Sequence, residues 1–199
     1  WTVVPAADNA FVTGFSDVTV PTAPISQTLI NLSDDVRIIT YIVTPSSGTC
    51  IGLPFELEVT LSPRPFIEDV VVDPICSEDT FVVSPQTGVP NANIVVPIGT
   101  TYTWTVVANP NVDGESDEIV PQTEISQTLT NTTSVTQTIE YTVTPLSTGC
   151  AGLTFQVFVD VKPRPFIVAG PQTQDTQCSG SPFVIAPQDG VPTADTIVP

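Results

Sequence analysis

The sequence predicts an all-β chain of tandem antiparallel β-sandwich repeats, each of about 100 residues. Three observations lead there: a composition that suits strands and turns, period-two alternation of apolar residues, and a long-range self-similarity. Thr, Val, Pro and Ile dominate, while Leu is sparse and Lys162 is the only lysine. β-Branched side chains stiffen against a helical turn but fit a pleated surface. The 21 prolines interrupt any long helix that could be drawn.

The self-similarity sets the organisation. Trp1-Thr2-Val3-Val4 returns as Trp104-Thr105-Val106-Val107, and Ile25-Ser26-Gln27-Thr28-Leu29 as Ile125 to Leu129. Tyr41 to Pro45 matches Tyr141 to Pro145, and Pro63-Arg64-Pro65-Phe66-Ile67 matches Pro163 to Ile167. Phe81-Val82-Val83 and Gly88-Val89-Pro90 recur at 183–185 and 190–192. An offset near 100 residues is too long for a solenoid unit and fits one immunoglobulin-sized domain. The phase then makes residues 1–66 the C-terminal part of one repeat, 67–166 a complete repeat, and 167–199 the opening of the next. Neither partial repeat holds enough strands to close its own sandwich, so the chain is expected to be a piece of something longer.

Within the complete repeat the strands follow from alternation. They are expected at Thr80 to Ser84, Thr101 to Val107, Ile125 to Leu129, Thr136 to Thr144 and Leu153 to Val161. Tyr102, Trp104 and Val106 share one face, as do Ile139, Tyr141 and Val143, and then Leu153, Phe155, Val157, Val159 and Val161. Trp104 is expected at the centre of the core. Five to seven antiparallel strands in this length make a two-sheet sandwich the economical solution. Pro on both sides of Arg64 and of Arg164 predicts a stiff, extended junction after the last strand. Glu68 and Asp69 are the carboxylates expected to pair with the junction arginine.

Charge and composition also exclude functions. Four Lys+Arg against 21 Asp+Glu give a formal net charge of −17, which repels nucleic acid and anionic membranes. No apolar run reaches the roughly 18 residues of a membrane span. With no His, neither a zinc triad nor a Ser/His/Asp or Cys/His arrangement can form within this stretch. The paired carboxylates Asp34-Asp35, Glu78-Asp79 and Asp117-Glu118 stand in turn-like contexts and none recurs in both copies, so glycosidase chemistry is not expected. No catalytic residue and no required cofactor is therefore assigned.

The strings Cys76-Ser77-Glu78, Gly99 to Val106, Ile125 to Asn131, Tyr141 to Pro145, Gly149-Cys150-Ala151-Gly152 and Pro163-Arg164-Pro165 resemble the PKD-like, Ig-like repeats of very large Bacteroidetes cell-surface proteins. Among these are the giant gliding-motility adhesins of flavobacteria. The resemblance covers the whole chain. It implies export across the outer membrane by the type IX secretion system and display as a filament on the cell surface. Its partners would be neighbouring repeats, an extracellular surface or polysaccharide, and the outer-membrane gliding and secretion machinery.

The cysteines divide into two classes: Cys76 and Cys178 open a repeat, whereas Cys50 and Cys150 sit between its last two strands. Two cysteines per repeat in an exported protein suggest a disulfide. Cys76–Cys150 is the expected pairing, leaving Cys50 and Cys178 to partners outside the chain. The rival is a staple across each junction, Cys50–Cys76 with Cys150–Cys178. The loop 109–118 spaces oxygen ligands as calcium loops do, which makes Asn109, Asn111, Asp113, Glu115 and Asp117 calcium candidates. A solvated acidic loop is the alternative, because Val120 stands where the closing acidic ligand belongs. Asn31-Leu32-Ser33 and Asn131-Thr132-Thr133 fit the glycosylation acceptor pattern.

The leading functional expectation is a structural and adhesive repeat of a long surface filament. A carbohydrate-binding or spacer module of a secreted multidomain enzyme is the runner-up; it would want aromatic rings exposed on one sheet face. A surface coat of identical copies is a third reading.

Overall fold

A computed structural model describes residues 1–20, 22, 24–167, 176–182, 184, 188–190 and 196–198. Among these residues there is no α-helix, only strands, turns and one 3₁₀ turn at Ala7–Phe11. Eleven strands carry the architecture. In the first third these are β1 (Thr2–Val3), β2 (Arg37–Val43) and β3 (Phe55–Leu61). They are followed by β4 (Val70–Cys76), β5 (Thr80–Val83), β6 (Thr101–Val106) and β7 (Glu118–Gln122). The rest are β8 (Ile125–Thr128), β9 (Gln137–Ser147), β10 (Cys150–Ala151) and β11 (Phe155–Lys162). Most of 168–199, and so most of the third segment, lies outside the described residues.

Residues 67–166 form two packed layers. One is the six-stranded sheet in the order β7-β6-β9-β11-β4, with β10 folded back on β9. The other is built from the β5–β8 pair and the short pairing of Val112–Asp113 with Thr130–Asn131. Between them lie Phe81, Val83 and Ile125 from one side and Tyr102, Trp104, Ile139, Tyr141, Val143, Phe155, Val157, Val159 and Val161 from the other. The Phe81 and Tyr141 rings meet at 5.3 Å between centroids, and Tyr102 meets Phe155 edge-on at 6.5 Å, both favourable aromatic geometries.

The alternation in the sequence thus reports the core, but two strands escape it. β4 and β7 are the edges of the large sheet, and each contains a proline, Pro74 and Pro121. Proline removes a ladder donor, so it is tolerated at an edge and weakens the strand signal in sequence. β4 also corrects the expectation of an all-antiparallel sheet, because it runs parallel to β11 with a register shift between Val159 and Val161. Leu153, expected inside with the β11 residues, precedes that strand and is exposed.

Residues 1–66 repeat the design in part. The sheet β1-β2-β3 reproduces the β6-β9-β11 portion, and Val12, Ile39, Tyr41 and Val43 form a smaller core. Among the described residues no strand corresponding to β4 covers the outer edge of β3. The consequence is visible in burial: Leu57, Val59 and Leu61 are only partly buried, while their counterparts Val157, Val159 and Val161, which β4 covers, are fully buried.

Candidate functional site

The six-stranded sheet gives the complete repeat two ends, and the potentially functional side chains concentrate there. β4 and β11 run side by side from the leading end, at Val70 and Val157, to the trailing end, at Cys76 and Lys162. The β9–β10 hairpin with Cys150 turns back at the leading end, beyond the Val143–Phe155 pair.

The cysteines are therefore not where the sequence places them relative to one another. None of the four forms a disulfide. Cys76 is level with Lys162, whose neighbour Val161 is level with Gln137, whereas Cys150 is level with Ser147. The ten residue-to-residue steps from Gln137 to Ser147 span roughly 33 Å of strand. Disulfides join residues with Cα atoms within about 7 Å. Repeat alignment puts Cys76 at the start of the repeat; strand β4, which alternation does not reveal, carries it to the other end.

A polar network recurs in both copies and explains several repeated residues whose role the sequence does not reveal. Gln127 Nε2 donates to the carbonyl oxygen and to Oγ of Ser116, both at 2.8 Å, and its Oε1 accepts from the Tyr141 hydroxyl at 2.9 Å. Gln27, Ser16 and Tyr41 reproduce this, with the Tyr41 hydroxyl 2.7 Å from Gln27 Oε1. Asn131 is 2 % exposed, and its Nδ2 donates to the Val135 and Val161 carbonyls at 2.7 and 2.8 Å. Its Oδ1 accepts from the Thr133 N–H and hydroxyl at 2.9 and 2.8 Å. Asn31 and Ser33 repeat this arrangement. The Asn-x-Ser/Thr pattern therefore records a local side-chain–backbone turn motif. The Asn131 amide is occupied and buried, which leaves it no room to accept a glycan.

Trailing-end geometry extends from there. Ser77 Oγ accepts from the Asn131 N–H at 2.9 Å, Ser77 N–H donates to Lys162, and Glu78 N–H donates to Leu129. The loop that follows Cys76 is thus fastened to the two strands beside it.

The five calcium candidates share a loop but face different tasks. Glu115 Oε1 accepts the Asn109 N–H at 3.0 Å, and Asp117 Oδ1 accepts the Val106 N–H at 2.8 Å. Asn109 and Asn111 both turn their amides to Gln137 Oε1, and Asp113 is exposed. Among the described residues no group of three or more His, Cys, Asp and Glu is arranged to hold a metal ion. In the first copy Asp17 caps Val3 as Asp117 caps Val106, which marks this carboxylate as a loop clamp. Gly114 (φ 97°) and Gly14 (φ 89°) supply the left-handed turn, and a Cβ on either would fall on the carbonyl oxygen of Thr128 or Thr28.

The junction arginines take other partners than expected. Arg64 Nε donates to the Ala151 carbonyl of the β9–β10 hairpin, while Glu68 accepts from Asn91 and Asp69 from the Gln156 N–H. Arg164 turns back to Asp79 at 2.8 Å and Glu78 at 3.6 Å. These groups are about half exposed, so each pair contributes under about 1 kcal/mol. Position, more than stability, is what they supply. Phe66 bridges to Val95 through paired backbone hydrogen bonds of 2.9 Å, and Phe166 to Ile197 in the same way. A Cβ on Gly152 would fall on the Pro65 carbonyl oxygen, so the hairpin and the junction approach as closely as backbones can.

Tyr102, Trp104 and Tyr141 are buried and offer no sugar-stacking face; the exposed rings among the described residues are Phe11, Phe55, Phe66 and Phe166. Burial pushes the Tyr102 hydroxyl up to about 12. Burial first, and the Glu115 carboxylate second, push Tyr141 the same way, so neither phenol exchanges protons near neutrality. No helix among the described residues is long and apolar enough to cross a membrane.

Compared with known families, residues 1–65 and 73–165 match the model of a family described as a PKD-like domain. No curated protein matches the chain.

Proposed function

We propose that this chain, which belongs to the PKD-like domain family, is a structural and adhesive segment of a long secreted cell-surface filament that attaches cells to surfaces during gliding. PKD-like domains are usually extracellular and non-catalytic modules. In this reading residues 1–66, 67–166 and 167–199 belong to three successive repeats, and the chain is one stretch of a longer array.

The observation that carries the proposal is the junction. At residues 63–66 the chain leaves β3, passes through Pro63-Arg64-Pro65, bridges Phe66 to Val95 and docks Arg64 on the next hairpin. Phe166 and Ile197 repeat the bridge about 100 residues later. A contact repeated at each linker holds successive sandwiches end to end, which turns beads into a spacer. The strong negative charge keeps such arrays soluble and mutually repelling. The outer face of the six-stranded sheet, with Thr103, Thr105, Thr138 and Thr142, is polar and hydrogen-bonding and suits a wet polysaccharide or mineral surface.

Immunogold labelling of intact cells with antibody against this chain is expected to decorate filaments outside the cell. Deleting the gene should reduce surface attachment and gliding speed together. Labelling confined to the cell interior, or deletion that leaves attachment and movement unchanged, would contradict the proposal.

A further inference from the structure

The chain contains two junctions, and their grooves are the same groove seen twice. Asn31, Arg64, Pro65 and Phe66 line the first, and Asn131, Arg164, Pro165 and Phe166 line the second. The walls that differ are informative. The first groove is closed by Leu153, three residues after Cys150. The second is closed by Ser77 and Glu78, immediately after Cys76. Laying one repeat on the next therefore brings the Cys76 loop of a repeat and the Cys150 hairpin of its successor to opposite walls of one groove.

The arginine makes the coincidence closer. Arg64 donates through Nε to Ala151, the neighbour of Cys150. Arg164, its equivalent, binds Asp79 Oδ1 at 2.8 Å through Nη2, and Asp79 Oδ2 accepts the Cys76 N–H at 3.3 Å. One guanidinium thus faces the residue next to one cysteine and the carboxylate that clamps the other. Cys76 is exposed and Cys150 is half-buried, so an oxidant can reach both.

We propose that Cys76 forms a disulfide with the hairpin cysteine of the following repeat, and that Cys150 pairs with the opening-loop cysteine of the preceding one. Both partners fall outside residues 1–199, an inference that rests on the chain belonging to a longer array. Two thiols lose two protons and two electrons as the S–S bond forms. The electrons pass to the disulfide of an exported thiol–disulfide oxidoreductase or a low-molecular-weight disulfide, which leaves as thiol. Neither in-chain alternative fits: Cys76 and Cys150 sit at opposite ends of one repeat. Cys50, on the leading hairpin of the first repeat, is about two repeat lengths from Cys76. The link would stop rotation about the Pro-Arg-Pro linker and make the array a covalently fastened rod.

The test supplies the missing half. The full chain is extended after Pro199 by a second copy of residues 98–166, which completes the third repeat and adds one further Cys150; the exposed Thr148→Ser change in that copy alone distinguishes its cysteine peptide by mass. The protein is oxidised with glutathione disulfide, and its non-reduced peptides are mapped. A peptide joining Cys76 to the added Cys150 is expected. Titratable thiols should fall from five (the chain's four plus one) to three, while the unextended chain keeps four. A Cys76–Cys150 peptide from within one repeat, or five free thiols in a protein with native circular dichroism, would overturn the proposal. Should the extended chain not fold, the same map on the parent protein from its own cells decides between the same linkages. Because the extension provides the partner itself, its failure is distinct from failure of the array reading, which the parent's length alone would reveal.

Discussion

Trp104→Ala is expected to destabilise the complete repeat by about 3–5 kcal/mol, the range for emptying a large aromatic site in a packed core. The ring is only 4 % exposed within the sixteen-residue buried cluster, and its indole N–H donates to the Ser116 carbonyl at 3.1 Å. Removing it costs the apolar contacts and one of the two hydrogen bonds on that carbonyl, which keeps its bond from Gln127. The repeat supplies an internal control. Trp1 occupies the equivalent place in the partial copy, where the core is smaller and the indole Nε1 has no partner. Trp1→Ala is expected to cost well under half as much. Urea unfolding followed by far-ultraviolet circular dichroism, with hydrogen exchange to assign the loss, measures both. Equal costs at the two sites would show that closing the sandwich does not matter to its core.

Asn131→Ala is expected to cost about 2–4 kcal/mol, although it removes only a few atoms: each hydrogen bond is worth about 1 kcal/mol net, but a buried partner left unpaired costs about 1–3 kcal/mol. Asn131 donates to two carbonyls and accepts from Thr133 twice, so its loss strands groups in the 131–135 turn and on β11. Thr133→Val, which removes only the hydroxyl, is expected to cost less. Thermal unfolding by calorimetry separates the two. If Asn131→Ala cost no more than an ordinary surface substitution, the recurring Asn-x-Ser/Thr would need an explanation other than this turn.

How much can be read from the chain beforehand depends on which physics each residue obeys. Burial in a sheet leaves a period-two trace, so the strands through Tyr102, Tyr141 and Val157 and the central place of Trp104 are legible. Both edge strands are not, because Pro74 and Pro121 sit where an edge tolerates them and erase the usual signal. That one omission propagates: without β4, Cys76 falls at the wrong end, and the disulfide expectation follows it. Satisfaction of polar groups leaves no periodic trace. Gln127, Ser116 and Tyr141 are separated in sequence and meet only through the fold, so recurrence of Gln27 and Gln127 is visible but its reason is not. The acidic loop has the residue types of a calcium site, yet those carboxylates answer to backbone donors that sequence spacing does not show.

The central claim is that successive repeats stand end to end, held by the linker at residues 63–66. Small-angle X-ray scattering from the full chain tests it most directly. Strands spanning roughly 35 Å per repeat, stacked lengthwise, give a radius of gyration of about 25 Å. A chain of this length collapsed into one compact body would give about 16 Å. The larger radius, with a long-axis tail in the distance distribution, is expected; the compact one would contradict the rod and, with it, the role as a spacer.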